Sequence, residues 1–243
     1  WHWECVWPGS RRGMLFHSAK RYLLTSGTIT KKHMSLLGFN ESEFTYVEFP
    51  STFPIERRPI YTPAAPVMSA KSSPSDHRQW VTLIDNILRT RRNRKGIIHT
   101  GSFKRAEFLI ENSKFGHLME SNRNSRDLPR ALAAFAASSA GILVSPSITA
   151  GVDFPYEGCA YQIIAKIPFP DPRSPVNIER AKIDPEFAFF ITAQEIVQAS
   201  GRGMRAEDHL GRVVLQPRMA VLSPVVAKSG EEDRGRPEAP HNP

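Results

Sequence analysis

A chain of 243 residues, 40% of them apolar, is long enough for one sizeable α/β domain and has no apolar run near the roughly 20 residues that cross a bilayer. Its two cysteines, Cys5 and Cys159, cannot form a four-cysteine metal or iron–sulfur site, and we expect both to be reduced in a cytoplasmic protein. The net charge of +8 suits a polyanionic partner such as nucleic acid, although charge alone does not separate this from a basic protein that binds nothing acidic.

The first part of the chain predicts short strands, one helix and a long loop. An apolar run over residues 21–25 and an alternating run over residues 45–49 are typical of strands. Between them, residues 30–37 are predicted to be helical up to Gly38, a residue type that commonly ends helices. The Pro- and Ser-rich residues 51–75 are predicted to form a loop.

The second part of the chain alternates helices with short apolar strands. Apolar residues recur between residues 80 and 88 at the i, i+3, i+4, i+7 spacing of an amphipathic helix. Further helices are predicted at residues 102–111, 128–138 and 184–205, and strands at residues 96–100, 141–145, 161–167 and 212–216. This alternation predicts an α/β fold with a mostly parallel sheet and helices on both faces, in which sites lie at the carboxyl ends of the strands.

The most informative segment reads QASGRGMR and begins at Gln198. On a helix, Gln198, Arg202 and Arg205 share one face, because they stand at i, i+4 and i+7. Two guanidinium groups beside an amide suit a phosphate whose charge is shifting. The glycines of the segment, Gly201 among them, would let another backbone approach closely. A solvated amphipathic helix end is the alternative interpretation.

This segment resembles the Q-x-x-G-R-x-x-R motif that closes the second motor domain of superfamily-two helicases, and the Asp and Gly after it are spaced as in DinG/XPD-like members. The resemblance implies a RecA-like fold whose arginines reach across a cleft to the γ-phosphate of ATP. Arg202 and Arg205 are thereby implied as arginine fingers, which contribute about 10³–10⁵ in turnover in phosphoryl transfer. Gln198 is implied to couple the nucleotide to domain closure.

Residues 147–155, SITAGVDFP, follow a predicted strand and are similar to the fifth motif of the same family. Small and hydroxyl residues at the end of a strand can meet a phosphate backbone closely, and Asp153 can accept a hydrogen bond from a sugar hydroxyl. The resemblance places Gly151 and Asp153, together with Gly201, on the nucleotide side, and Thr149 on the nucleic-acid backbone. An ordinary capped turn is the alternative.

Two further segments resemble motifs of the same family, and both are implied to contact nucleic acid. The sequence LTSGT is similar to the third motif, usually Ser-Ala-Thr, and implies that Thr25, Ser26 and Thr28 lie on the nucleic-acid side. The sequence GIIHTGSFKRAEF resembles the fourth motif, a strand and loop before a helix. Free amides at a helix N-terminus form an anion site, so Ser102 and Lys104 could hold a DNA phosphate. A solvated Lys104 or Arg105 is the alternative.

Together with KIPFPD at residues 166–171, these matches run in the family's order from about residue 21 to residue 216. They imply that residues 1–38 are the end of motor domain 1 with a linker, and residues 39–226 the RecA-like second motor domain. Residues 227–243 are polar and Pro-rich, which predicts a disordered tail. Since the third motif comes early and the first residue is not Met, we expect a fragment of a longer protein.

The resemblance implies an ATP-dependent DNA helicase with single-stranded DNA as partner, and with ATP and Mg²⁺ held mainly by motor domain 1 of the same chain. The sequence has no G-x-x-x-x-G-K-[ST] phosphate loop and no acidic box, so we expect no useful ATP hydrolysis by this chain alone. The family's iron–sulfur cluster, where present, lies in the first domain, and this sequence leaves its presence open. The alternatives are a non-enzymatic basic module that binds single-stranded nucleic acid and a structural partner that lends arginines to another ATPase.

Two other features carry less specific signals. The basic run RTRRNRK at residues 89–95 is interpreted as a solvated loop, with a contact to a nucleic-acid backbone as the alternative. His99 ends a predicted strand, and we interpret it as a core or rim histidine with satisfied hydrogen bonds and not as a catalyst.

Overall fold

The computed structural model describes residues 4–50, 59–69, 71–146, 158–201 and 212–215. The strands in these residues are β1 (Ile60–Tyr61), β2 (Gly96–His99), β3 (Met119–Ser121), β4 (Ile142–Ser145), β5 (Tyr161–Ile164) and β6 (Arg212–Leu215). The α-helices are α1 (Arg12–Leu15), α2 (Lys31–Leu36), α3 (Pro74–Leu88), α4 (Phe103–Asn112), α5 (Leu128–Ala137), α6 (Pro175–Ile183) and α7 (Phe187–Ser200). Short 3₁₀ turns occur at Pro8–Arg11, Glu41–Glu43, Gly116–Leu118 and Ser125–Asp127.

The described strands form one sheet of six, in the order β1-β6-β5-β2-β4-β3. Every neighbouring pair is parallel, which confirms the predicted parallel α/β architecture. β2 is central and pairs along its whole length with β5 on one side and β4 on the other. Because all strands run the same way, their carboxyl ends meet at one side of the sheet, which we call the carboxyl edge.

Helices cover both faces of the sheet, as predicted. One core joins β2, β4 and β5 to α3 and α4, and Trp80 is among its largest fully buried side chains. On the opposite face, Ile97 and Leu143 pack against Phe135 of α5, and β5 packs against Ile196 of α7. Side chains of successive strand residues point to opposite faces of the sheet, so each four-residue strand contributes side chains to the cores on both faces.

The helix α3 is anchored by polar contacts as well as by its apolar face. It begins at a capping box in which the Ser73 hydroxyl accepts a hydrogen bond from the Asp76 amide. Further along, the Trp80 indole Nε1 donates to the Ala165 carbonyl oxygen at 2.9 Å. The buried carboxylate of Asp85 accepts a hydrogen bond from the Ser113 hydroxyl at 2.5 Å. These bonds fix α3 against β5 and against the end of α4.

Two predicted strands are wrong. Residues 21–25 and 45–49 are irregular and pair with no strand among the described residues. Leu23 is 87% exposed and Phe49 is 83% exposed. A strand needs a neighbour for its N–H and C=O groups, and an apolar pattern by itself does not supply one.

Four helices and strands were not predicted. One is α1, a single turn of four residues that buries none of its side chains. β1 has two residues and lies inside the predicted loop at residues 51–75, and β3 has three residues, too few for a detectable alternation. α6 buries none of its residues, so it has no apolar stripe. The helix predicted at residues 184–205 begins at Phe187, and within the described residues it ends at Ser200.

The N-terminal residues 4–50 pack on α6 and α7. Arg180 of α6 donates from Nε to the carbonyl oxygen of Val6 at 2.8 Å and from a terminal nitrogen to that of Cys5 at 3.0 Å. The same guanidinium lies 5.4 Å from the centre of the Phe187 ring, within cation–π distance. These contacts place the N-terminal residues beside the helix whose end carries Gln198.

The two cysteines have the state that the sequence predicted. Cys5 is exposed, Cys159 is buried, and both are free thiols. Burial raises the pKa of Cys159 to about 12, so this thiol stays neutral. Across the part of the chain that the structure describes, no helix combines the length and the apolar character that membrane crossing requires.

Candidate functional site

Polar residues gather at the carboxyl edge, where β2 and β4 end side by side. The Thr100 amide, one residue past β2, donates to the carbonyl oxygen of Ser145 at 3.0 Å. The next amide, of Gly101, donates to the carbonyl oxygen of Pro146 at 3.1 Å. Gly101 has a φ of +71°, a left-handed conformation that glycine adopts readily. The chain therefore turns sharply after β2, and α4 begins directly at this edge.

The N-terminus of α4 carries both residues predicted to hold a DNA phosphate. Ser102 is its N-cap, and the Ser102 hydroxyl accepts a hydrogen bond from the Arg105 amide at 3.3 Å. Lys104 lies in the first turn of α4 and is exposed. The predicted positions of both residues at a helix N-terminus are confirmed, and their contact with a phosphate stays a prediction.

Arg105 differs from the solvated charge that was considered for it. Its side chain is half-buried, and its Nε is buried with no hydrogen-bond partner among the described residues. Burial lowers the pKa of Arg105, although an arginine remains charged at neutral pH. A half-buried cation thus lies beside the cap of α4. The sequence does not predict this difference in exposure between Arg105 and Lys104, because both are basic residues that come shortly after the capping serine.

The end of α7 meets the segment that resembles the third motif. Gln198 is exposed, and its Nε2 donates to the hydroxyl of Thr28 at 3.2 Å, across 170 residues of sequence. The Thr28 amide in turn donates to the hydroxyl of Ser26 at 3.2 Å, so the two residues form a local turn. Thr25 precedes this turn and is exposed. The structure therefore brings together two segments that the sequence singled out separately.

Gly201 ends α7. Its amide donates to the carbonyl oxygens of Val197 and Ala199. Its φ is −66°, and a Cβ built on it meets no described atom within 4 Å. No described residue makes the close backbone approach that was predicted for this glycine.

A buried polar chain connects β2, β5 and α7. The Nε2 of His99 lies 3.2 Å from the Oε1 of Gln162, and the Nε2 of Gln162 donates to the carbonyl oxygen of Ser200 at 3.0 Å. Because an amide oxygen only accepts, the Nε2 of His99 carries the proton in this bond. His99 is 7% exposed and Gln162 is 2% exposed. His99 is therefore a core histidine with satisfied hydrogen bonds, as predicted, whereas the role of Gln162 was not predicted from the sequence.

Several predicted site residues lie outside the described residues. These are Arg202, Arg205, Gly151, Asp153 and Thr149. Since α7 ends at Ser200 within the described part, the shared face of Gln198 with the two arginines stays a prediction. The contacts predicted for residues 147–155 also stay predictions.

A parallel sheet covered by helices on both faces, with polar residues at its carboxyl edge, is a doubly wound α/β architecture, of which RecA-like domains are one kind. A family model described as "Helicase C-terminal domain" matches residues 93–220, more than half of the chain. The chain belongs to this family. The match confirms the resemblance to the second motor domain of DinG/XPD-like helicases that the motifs indicated.

Solved structures show the same fold. One of XPD in its apo form is 14% identical, has a TM-score of 0.52, and is matched over 71% of this chain and 38% of that chain. A structure of an XPD helicase is 18% identical with a TM-score of 0.51, over 68% of this chain and 32% of that one. Xpd4 of S. tokodaii is 14% identical with a TM-score of 0.51, over 69% and 36%. The chain thus spans about a third of the length of these proteins. A search among curated proteins finds no match.

Proposed function

We propose that this chain is the second motor domain of an ATP-dependent DNA helicase. The observation that carries the proposal is the 3.2 Å hydrogen bond from Gln198 to Thr28. It joins the segment that resembles the nucleotide-coupling motif to the segment that resembles the end of the first motor domain. Membership of the helicase C-terminal domain family and the RecA-like sheet support the same conclusion.

In this proposal, ATP is the substrate and is bound between two motor domains. The first motor domain holds its phosphates and Mg²⁺, and Arg202 and Arg205 of this chain stabilise the γ-phosphate during transfer. We assign Mg²⁺ to the first motor domain, and the described residues contain no group of three His, Cys, Asp or Glu that could hold a metal ion. The other residues of this chain on the nucleotide side are Gln198, Gly201, Gly151 and Asp153.

The proposed track for single-stranded DNA crosses the same carboxyl edge. A backbone phosphate at the N-terminus of α4 would meet the free amides of the first turn, the exposed Lys104 and the half-buried Arg105. The net charge of +8 favours such a partner. The residues assigned to this track are Thr25, Ser26, Thr28, Ser102, Lys104 and Thr149.

The arginine assignment is tested in the intact protein that contains both motor domains. Replacing Arg202 or Arg205 with alanine should lower the kcat of DNA-stimulated ATP hydrolysis by about 10³–10⁵ and leave the Kd for single-stranded DNA nearly unchanged. Arg173→Ala is the matched control, because Arg173 is exposed and pairs only locally with Asp171 at 3.0 Å. Equal losses of turnover and DNA affinity would assign the two arginines to DNA. An intact protein that binds DNA without hydrolysing ATP would instead favour the non-enzymatic binding module.

The contact between Gln198 and Thr28 has its own test. Gln198→Ala and Thr28→Val each remove one partner of the hydrogen bond, and each should reduce the stimulation of ATP hydrolysis by DNA. If the two residues act through this bond, the double variant should lose no more than either single variant. Fully additive losses would show that the contact does not couple the two segments.

A further inference from the structure

The buried polar chain of His99, Gln162 and Ser200 ends at two elements that the proposed function assigns to different ligands. His99 is the last residue of β2, and Ser102, the cap of α4 on the proposed DNA track, follows three residues later. Ser200 is the last residue of α7, two residues after Gln198 on the proposed nucleotide side. Gln162 bonds to both ends, at 3.2 Å to the Nε2 of His99 and at 3.0 Å to the carbonyl oxygen of Ser200. One buried amide therefore lies between the DNA side and the nucleotide side.

Hydrogen bonds hold the backbone between His99 and the cap of α4. Thr100 is buried, its amide donates to the carbonyl oxygen of Ser145 at 3.0 Å, and its hydroxyl donates to that of Ser102 at 3.1 Å. The carbonyl oxygen of His99 accepts a hydrogen bond from the amide of Ala165, which follows β5, at 2.9 Å. Because closely packed interiors have low compressibility and transmit strain, a displacement of the α4 cap would reach His99.

Gln162 is a buried amide in a strand that otherwise serves packing. The next two residues of β5, Ile163 and Ile164, are buried and apolar. Ile164 packs against Ile196 of α7, and such apolar contacts hold the helix without a directional preference. Burying an amide costs free energy that an apolar side chain would not, and natural chains break the packing pattern in this way mainly at functional sites. The amide in β5 therefore indicates a role beyond stability.

We propose that Gln162 is a positioning residue that couples DNA binding at the N-terminus of α4 to ATP hydrolysis at the end of α7. Gln162 is 2% exposed, so it contacts neither ligand and acts through His99 on one side and Ser200 on the other. A DNA phosphate that shifts the cap of α4 moves His99, and the two directional hydrogen bonds pass this shift to the end of α7. The inference rests on the proposed function, which assigns one end of the polar chain to DNA and the other to the nucleotide.

The test compares the kcat of ATP hydrolysis with and without single-stranded DNA, in the intact protein that contains both motor domains. Gln162→Leu removes both hydrogen bonds and should lower the ratio of these two kcat values about fivefold or more, within the usual range of coupling between two sites. The KM for ATP without DNA and the Kd for DNA without nucleotide should stay close to the wild-type values, because Gln162 contacts neither ligand. A loss of folded protein alone would lower both kcat values alike and leave their ratio unchanged.

Leu88→Ala is the matched control for lost stability, because Leu88 is buried at the end of α3 and makes no part of the polar chain. Its ratio should equal that of the wild type. Gln162→Glu is a second variant of the same shape, which keeps the test decisive if Gln162→Leu does not fold. Its ionised carboxylate still accepts a hydrogen bond from His99 but cannot donate to the carbonyl oxygen of Ser200. At alkaline pH, where this carboxyl group is ionised, its ratio should therefore fall below that of the wild type.

The outcomes separate this inference from the proposed function. If DNA stimulates the wild type and the folded Gln162 variants keep the wild-type ratio, the inference alone is overturned. The same holds if Leu88→Ala lowers the ratio as much as Gln162→Leu does. An intact wild type that hydrolyses no ATP would contradict the proposed function and this inference with it.

Discussion

At the scale of single residues, Gly96 shows how the lack of a side chain shapes the sheet. A Cβ at this position would lie 2.1 Å from the Cζ of Tyr161, whose ring is 1% exposed. The ring lies in a packed core, so it cannot yield without moving β5. The glycine is therefore required by this close approach.

Gly96→Ala is expected to lower the free energy of unfolding by about 1–3 kcal/mol, because overpacking forces the neighbours to shift. Denaturant unfolding followed by circular dichroism measures the change. Gly13→Ala is the control, since Gly13 lies in α1 and a Cβ there meets no described atom within 4 Å. Equal midpoints for Gly96→Ala and the wild type would contradict the close approach.

Glu43 is a second residue whose surroundings decide its chemistry. Its carboxylate accepts hydrogen bonds from the Arg12 guanidinium at 2.5 and 3.0 Å and from the Asn40 amide at 2.8 Å. These bonds, chiefly that from Arg12, lower the pKa of Glu43 to about 2. About a third of each side chain is exposed, 36% for Arg12 and 33% for Glu43, so solvent screens the pair and its effect on global stability is small.

An NMR titration of the Glu43 carboxyl group should show a midpoint near pH 2 in the wild type. Since the folded-state pKa is depressed, the stabilisation is present above the ordinary value of 4.5 and is lost as the pH falls from there towards 2. Arg12→Gln should move the midpoint back towards 4.5. A wild-type midpoint already at the ordinary value would refute the pairing.

At the scale of elements, the buried chain from His99 through Gln162 to Ser200 is the polar link between the sheet and α7. Gln162 stands in β5 on the face that packs against α7, and its amide serves both neighbours. Hydrogen bonds are directional, so a buried amide in this place fixes the position of the end of α7. An apolar side chain there would let the helix end shift along the sheet. The proposed nucleotide-side residue Gln198 therefore lies on a helix end with a defined position.

Gln162→Leu keeps the volume of the side chain but removes both hydrogen bonds. We expect the free energy of unfolding to fall by about 2 kcal/mol or more, because the Ser200 carbonyl and the His99 ring each lose a buried partner. Gln79→Leu is the matched control, because Gln79 is exposed on α3 and its replacement should change stability little. A stability loss no greater than that of the control would show that the chain is not structurally important.

At the scale of the whole molecule, residues 4–50 are held to the sheet domain by α6 and α7. Arg180 is one link, with hydrogen bonds of 2.8 and 3.0 Å to the backbone of Val6 and Cys5. An ion pair between Lys32 and Asp184 adds a second attachment. The hydrogen bond from Gln198 to Thr28 adds a third, at the proposed site itself.

Arg180→Gln should loosen this attachment without affecting the sheet. Hydrogen exchange in residues 4–50 should become faster by about tenfold or more, the effect of losing hydrogen bonds from a charged donor, while exchange in β2 and β4 stays unchanged. Arg173→Gln is the control, because Arg173 is exposed and bonds only to Asp171. Faster exchange throughout the sheet would mean that the N-terminal residues are part of one cooperative unit with it.

Elements whose signals are local could be predicted from the sequence. The amphipathic spacing of α3, the serine that caps α4, and the apolar runs of β2, β4, β5 and β6 all predicted structure close to what is observed. The order of motifs along the chain also indicated the helicase family before any geometry was known. Helix caps and hydrophobic periodicity involve residues only a few positions apart, so they can be recognised in the sequence.

Which segments of the chain meet could be seen only in the folded structure. The apolar residues 21–25 found no neighbouring strand among the described residues, whereas the two residues of β1 found β6. The contacts of Gln198 with Thr28 and of His99 with Gln162 likewise join residues far apart in the chain. Strand pairing and burial depend on partners that folding brings from distant positions, and no local pattern contains that information.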